Sequence, residues 1–534
     1  MITKPKAGGV SAHDHDHEDH HLGARRRFLR QLGLISAGTA LLPGTSLQAL
    51  GSSRLVQAIA DNPSDRILVL IRLKGGNDGL NTIVPVYDYA RYVNARPRIA
   101  YQQQDLLALT NELSVSTDFS AAHQMWQQGA MRVVNGVGYP DPNLSHFRGT
   151  DIITSASDAQ EVLRSGWLGR HLDACFPDYL SNPPAAPPAI QIGGSGSLTF
   201  LNDENVSLAV NVRSVEELTT LAQSGQLYAT DDLPDCFYGE QLGYLRGVAN
   251  STFVFAGGIR DAYDLGSNAV AYPGGQLSAQ LSVLARLIKG GLDTKLYLVT
   301  LDGFDTHAGQ ENAHPQLLRQ LGQSVQAFFD DLAQSGDEQR VLASTFSEFG
   351  RRIEQNASSG TDHGTAAPQL LFSPALNGNG TTGALPSLSQ PDPNGNLNFT
   401  TDYRSVYATL LEHWLCIPAT QVDQVLGGNF DRLALGFDCQ SVSTSSPRVH
   451  TADFTVAVQR SPEGWVFRVD GPQAAYRLRL LDVLGRVQFE QSFGPLNNEL
   501  RLALSDLPTG GSIRVYSVEG QAGALVSGML PLLR

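Results

Sequence analysis

Cysteine is scarce: the 534 residues hold four, at 175, 236, 416 and 439, and no Cys-x-x-Cys pair. That spacing argues against a zinc ribbon or a thioredoxin-like redox site. Cys416 and Cys439 bracket one short segment and are the pair a disulfide would take in an oxidising compartment, with buried free thiols as the other reading. Long hydrophobic runs are also missing. Beyond the leader described below, no stretch of ~18 apolar residues occurs, the minimum for a membrane-spanning helix. Charged residues make up 17 %, the net charge is −14, and Lys and Arg nowhere cluster among aromatics outside the leader, which argues against nucleic acid as a partner. What is present is an ordinary globular composition, 42 % apolar, in a chain longer than one hydrophobic core organises. At least two folded units are expected.

The two ends differ from the middle. Ala24-Arg25-Arg26-Arg27-Phe28-Leu29-Arg30 precedes a moderately apolar stretch from Leu32 to Leu42 and small residues up to Ala49, the pattern of a signal peptide. It resembles a twin-arginine export signal, with Arg25 and Arg26 as the pair and Ala24 where Ser or Thr is usual. The resemblance implies a passenger that folds before it meets the twin-arginine translocase, and a mature protein in the periplasm or beyond. His13, His15, His17, His20 and His21 alternate with acidic residues in this leader and are read as part of the removed segment.

At the other end, Ser441 to Pro447 reads as a linker, followed by short alternating strands between Gly and Pro turns, as an all-β Ig-like sandwich requires. Leu481-Asp482-Val483-Leu484-Gly485-Arg486, then Leu502 to Gly510 and a final strand, resemble a type A sorting domain of type IX secretion. Its Gly-x-Tyr element is altered to Gly511-Ser512-Ile513-Arg514. That resemblance implies delivery to the cell surface or the medium by the type IX secretion machinery; an accessory binding module is the alternative. The expected layout is a signal peptide over 1–50, an α/β domain over 51–440, a linker over 441–452 and the β-sandwich over 453–534.

From Arg66 to about Asp438, apolar β-type runs alternate with helical segments, which points to an α/β sheet. Four runs carry chemistry at their ends. Arg66 to Leu73 is nearly continuous and apolar, as in a strand buried on both faces, and leads into Lys74-Gly75-Gly76-Asn77-Asp78-Gly79. Met131 to Val137 is followed by a Pro-rich loop and Asn143-Leu144-Ser145-His146-Phe147-Arg148, where Ser145 is either a helix cap or a nucleophile at a positive helix end. Lys295 to Leu301 runs into Asp302-Gly303-Phe304-Asp305-Thr306-His307, then an amphipathic helix with Leu317, Leu321, Val325, Phe328 and Leu332 inward. Arg340 to Phe346 leads to Ser347-Glu348-Phe349-Gly350-Arg351-Arg352, with Thr361-Asp362-His363-Gly364 on the glycine-rich loop beyond. In open α/β sheets the ligand site lies past the carboxyl ends of the strands, so these segments are expected to converge. Carboxylates gathered there would repel one another without a cation between them, and carboxylates with neutral imidazoles suit zinc, manganese or calcium. Asp302, directly at a strand end, serves a turn equally well, and Arg351 and Arg352 read as ordinary surface charges.

Arg72 to Asn81, Asp302 to His307, Ser347 to Arg351 and Thr361 to Gly364 together resemble the secreted family known as domain of unknown function 1501. That family is related to the alkaline phosphatase and sulfatase superfamily. The resemblance implies a mostly parallel sheet with helices on both faces. It also implies a divalent metal held by Asp78, Asp305, His307, Glu348, Asp362 and His363, with Ser145 as nucleophile and Arg148 binding an ester oxygen. The activity implied is metal-dependent hydrolysis of a phosphate or sulfate ester, the substrate being a small ester or a sulfated or phosphorylated glycan. The alternative is a non-catalytic surface binding or scaffold protein on the same fold. A formylglycine sulfatase is disfavoured, because Ser145 lacks the Pro and Arg spacing such enzymes need and Cys416-Ile417-Pro418 lacks the Arg.

Overall fold

The run Ile67-Leu68-Val69-Leu70-Ile71 has no polar position to turn toward water, so it lies where a sheet is covered on both sides. It forms β1 (Ile67–Lys74) at the middle of the main sheet. The computed structural model describes residues 65–439 apart from 181–182, 185, 194–195 and 213–236, together with seven strands between 455 and 529. The twin-arginine segment and the linker at 441–452 lie outside the described residues.

After β1 comes a small antiparallel sheet of β2 (Val84–Pro85), β3 (Leu106–Ala108) and β4 (Leu113–Ser116). The chain then returns with β5 (Met131–Gly138), β6 (Ala189–Ile192), β7 (Ala209–Val212), β8 (Leu296–Asp302) and β9 (Val341–Phe346). A two-stranded ribbon of β10 (Gly350–Arg351) and β11 (His363–Gly364) precedes β12 (Ala367–Phe372), β13 (Gly380–Thr382) and β14 (Thr401–Asp402). The main sheet runs β13-β5-β12-β9-β1-β8-β6-β7, with β14 also on β5. Its pairings are parallel except those of β12, which is antiparallel to both β5 and β9. The architecture is therefore mixed α/β with a mostly parallel central sheet.

The helices that matter for the site are α1 (Tyr89–Ala95), α2 (His146–Ser155) and α3 (Gln310–Ala333). On α3 the apolar stripe falls at helical spacing: Leu318, Leu321, Val325, Phe328 and Leu332 are buried, while Leu317 is only half-buried. Each such side chain contributes ~1.5–3 kcal/mol over its exposed state. Among the described residues no helix is long and apolar enough to cross a membrane.

Beyond the main sheet, β15 (Thr455–Ser461), β16 (Gly464–Asp470), β17 (Tyr476–Asp482), β18 (Val487–Phe493), β19 (Glu499–Ala503), β20 (Ile513–Glu519) and β21 (Leu525–Met529) form two antiparallel sheets. Their orders are β15-β16-β19 and β18-β17-β20-β21. Phe467, Leu478, Leu480 and Val518 are fully buried.

Cys416 and Cys439 are joined by a disulfide with Cα atoms 5.5 Å apart, which ties the chain after Trp414 to the end of the α/β region. Closing a loop of 23 residues restricts the unfolded chain by about 3 kcal/mol. The double substitution Cys416→Ser and Cys439→Ser should lower the unfolding free energy by that amount, read as a fall in the urea midpoint; an unchanged midpoint would refute a stabilising bridge.

Candidate metal centre

The parallel register decides which side chains meet. Lys74 pairs with Asp302 across β1 and β8, and Arg72 with Phe346 across β1 and β9, so the turns after these three strands leave the sheet side by side. Gly75, at φ +123°, lets the first turn press on the second: a Cβ there would stand 2.3 Å from the Asp305 nitrogen. Because β12 runs antiparallel, its amino end lies on the same rim, and the β10–β11 ribbon just before it brings Arg351, Asp362 and His363 to the other turns. The loop after β5 supplies the start of α2, with His146 as its first residue.

Three imidazoles gather around the Asp305 carboxylate. His307 Nε2 and His363 Nε2 lie 3.2 and 3.4 Å from Oδ1, and His146 Nε2 lies 3.4 Å from Oδ2. The two nitrogens of His307 and His363 are 2.9 Å apart. Each ring is held from behind by an oxygen that only accepts: Glu348 Oε1 at 3.0 Å from His146 Nδ1, Asp362 Oδ1 at 3.1 Å from His307 Nδ1, and the Leu144 carbonyl at 2.7 Å from His363 Nδ1. Those partners place the proton of each neutral ring on Nδ1 and leave the Nε2 lone pairs turned toward Asp305. His146 Nε2 is buried without a hydrogen-bond partner. Lone pairs facing one another at 2.9 Å beside a carboxylate call for a cation. Ligands of a tetrahedral zinc at ~2.0–2.1 Å stand about 3.3 Å apart, close to the separations here. His146, Asp305 and His363 offer ligand atoms all within 4.8 Å of one another, and the residues present fit a divalent metal with oxygen anchors behind its imidazoles.

Arg351 fixes the carboxylate. Its guanidinium, fully buried, donates to Asp305 Oδ1 at 2.6 Å and to the carbonyls of Gly75, Gly76, Phe304 and Thr361. Burial alone would raise the affinity of Asp305 for a proton, but the hydrogen bond and charge of Arg351 outweigh it and hold the carboxyl below its usual range. Asp362 is also held low, chiefly by the hydrogen bond from Asn356. Burial lowers the pKa of His363, which favours the neutral ring a metal needs.

Of the six expected ligands, Asp305, His307 and His363 turn ligand atoms to the common centre. Glu348 and Asp362 stand one layer back, orienting His146 and His307; Glu348 Oε1 also accepts from the Gly75 nitrogen at 3.0 Å. Asp78 has a different partner. It is fully buried, its oxygens taken by Arg96 at 2.6 and 2.9 Å and by Gln310, the charge pairing and hydrogen bonding that a buried carboxylate needs. Ser145 is exposed at the N-cap position of α2, and its hydroxyl makes no capping bond. Arg148 donates to the carbonyls of Asp158, Ala159 and Glu161, so its role is to hold that loop. Asp302 is exposed and pairs with Lys74 at 2.6 Å. Sequence reasoning passed over His146, although it adjoins the chosen Ser145 in a polar loop before a helix.

The Asp78–Arg96 pair, with both side chains 0 % exposed, is the buried charge most sensitive to loss of its partner. Burial favours a proton on Asp78, yet Arg96 and the other donors keep its pKa below the ordinary value. Arg96→Ala should cost roughly 3–5 kcal/mol at neutral pH. The native pair is stabilising above the unfolded pKa of ~3.9, and that stability is lost as pH falls through the depressed folded value. The deficit of the variant should therefore shrink in acid. A melting difference under 2 °C at pH 7, or one that is flat with pH, would contradict this account.

No curated protein matches the sequence. Solved structures that match the chain include alkaline phosphatase from the Antarctic bacterium TAB5, at 8 % identity and TM-score 0.27, covering 59 % of this chain and 94 % of that one. PsFucS1 sulfatase from Pseudoalteromonas sp. matches at 12 % identity and TM-score 0.30, covering 83 % and 84 %. The lipoteichoic acid synthase LtaP from Listeria monocytogenes matches at 8 % identity and TM-score 0.31, covering 87 % and 91 %. Residues 266–426, the segment that carries Asp305, His307, Glu348, Arg351, Asp362 and His363, match the model of the family described as "Protein of unknown function (DUF1501)".

Proposed function

We propose that this chain is an exported, metal-dependent hydrolase of phosphate or sulfate esters. The observation that carries the reading is the convergence of the Nε2 atoms of His146, His307 and His363 on the Asp305 carboxylate, each Nδ1 being held by an oxygen acceptor. Three imidazoles and one carboxylate favour zinc, or manganese, over calcium, which prefers an all-oxygen shell. A divalent cation held there supplies Lewis acidity toward an ester oxygen.

The chain's own groups do the rest. Arg351 and Glu348 keep the ligand-bearing loops in place, which spares reorganisation when substrate binds. Ser145, exposed and free of capping duty one residue from His146, is the nucleophile in this reading. Asp78 and Arg148 act as structural supports. Export follows from the Arg25-Arg26 leader. The two antiparallel C-terminal sheets suit an Ig-like sorting sandwich recognised by the type IX secretion machinery.

The test is elemental analysis of the purified protein beside Asp305→Ala and His363→Ala, with hydrolysis of p-nitrophenyl phosphate and p-nitrophenyl sulfate measured before and after chelation. Wild type should carry about one equivalent of zinc or manganese, lose it in either variant, and lose turnover with it. Ser145→Ala should retain the metal and lose turnover by about 10² or more. A folded wild type that takes up no metal would end the hydrolase reading and favour a binding protein.

A further inference from the structure

The glycine-rich segment after β1 holds a buried amide that the metal centre does not use directly. Asn77 is 1 % exposed, and its backbone nitrogen donates to Ser347 Oγ at 3.0 Å, which seats it against the residue before Glu348. Its Oδ1 accepts from Thr82 Oγ1 at 2.8 Å and lies 3.3 Å from His314 Nε2. With the amide oxygen held on that side, Nδ2 faces the other way, and it is buried without a hydrogen-bond partner.

One oxygen of Glu348 is in the same state. The residue is 2 % exposed; Oε1 takes His146 Nδ1 and the Gly75 nitrogen, whereas Oε2 has no hydrogen-bond partner, and the Arg72 guanidinium stands 3.9 Å from it. Asn77 and Glu348 both line a cavity of about 30 Å³ bounded by β1, β5, β9, β12 and α2. Hydroxyls in that wall send their hydrogens elsewhere, Ser347 to the Leu73 carbonyl at 2.6 Å and Thr365 to the Leu397 carbonyl. The volume has room for about one or two waters and for nothing larger. An N–H donor and a carboxylate oxygen facing one small space ask for a ligand that accepts and donates at once. A cation accepts nothing from the amide, and an anion is repelled by the carboxylate; water does both. Leaving the two atoms bare would cost the desolvation of each.

We propose that a buried water bridges Asn77 Nδ2 and Glu348 Oε2, and that Asn77 is, through it, a positioning residue for the metal centre. The water accepts from the amide and donates to the carboxylate. Both oxygens of Glu348 are then held, Oε1 by His146 and Gly75 and Oε2 by the water. A carboxylate fixed at both oxygens does not turn about its last bond, and the direction of the His146 ring is fixed with it. The order of contact is Asn77, water, Glu348, His146. That this series ends on a metal rests on the metal-dependent reading; the water site does not.

The experiment joins a crystal structure of the purified protein, at a resolution that shows ordered water, to zinc affinities measured by competition with a chromophoric chelator. Two variants remove the water by different means: Asn77→Leu deletes the donor, and Ile153→Phe fills the cavity from the α2 side while leaving Asn77 and Glu348 in place. Leu281→Ala, at a fully buried position of the helix Gln276–Lys289, controls for loss of stability alone. Wild type should show a water at about 2.7–3.2 Å from both atoms. The zinc dissociation constant should rise about tenfold in Asn77→Leu and in Ile153→Phe and stay unchanged in Leu281→Ala. The visible spectrum of the cobalt-loaded protein should shift in the first two only. A dry cavity in wild type overturns the bridge, and that density decides it without any variant. Zinc affinity and cobalt spectrum unchanged in both variants, or altered equally in Leu281→Ala, overturn the positioning role. A wild type that shows the water but takes up no metal would end the metal-dependent reading, and the positioning role with it, while leaving the water site standing.

Discussion

The rim of this sheet is organised by one buried cation. The Arg351 guanidinium reaches the turn after β1 through Gly75 and Gly76, the turn after β8 through Phe304 and Asp305, and the loop before β11 through Thr361. These segments are far apart in sequence and touch only because their strands end together. A planar group with five fixed donors meets such a spread of carbonyls in a way that the single ammonium of lysine does not. Its charge is neutralised by Asp305, so the interaction that locks the loops also keeps the central carboxylate ionised and aimed.

Much of this was legible from pattern. Continuous apolar runs such as Ile67 to Ile71 and Val341 to Phe346 identify strands covered on both faces, and the rule that sites lie past their carboxyl ends brings Asp305 and His307 together. The antiparallel direction of β12 was not legible, because alternation and hydrophobicity are the same whichever way a strand points. That direction puts His363, in the β11 ribbon just before it, on the rim by the amino end of β12. Arg351 and Arg352 show the limit at the scale of one residue. Arg351 closes the two-residue β10 and is fully buried, while Arg352, the first residue beyond it, is exposed. No periodicity in so short a strand says which. Asp78 was misleading for a related reason: its partner Arg96 lies 18 residues away, past a helix and a turn, and only the fold reveals the pair.

The outer layer explains why the imidazoles are arranged rather than merely close. Glu348, Asp362 and the Leu144 carbonyl come from three different segments, yet each takes an Nδ1 hydrogen. Without them a ring is free to present either nitrogen, and rotation about its side-chain bonds would scatter the Nε2 atoms. Glu348 is tied in turn to the Gly75 nitrogen, so the backing of His146 and the turn pressed against Asp305 are one unit.

Charge balance links metal loading to the ligand that would follow. Asp305, Glu348 and Asp362 are acidic; Arg351 pairs with Asp305, and Arg72 lies 3.9 Å from Glu348. With neutral imidazoles these groups leave the site with one negative charge in excess, a poor setting for an anionic ester. A divalent cation reverses the sign to one positive charge. Loading and anion affinity are then coupled through the same few ångströms. Asp362 has a part in that coupling, because the oxygen that orients His307 sets the direction of a metal-facing imidazole.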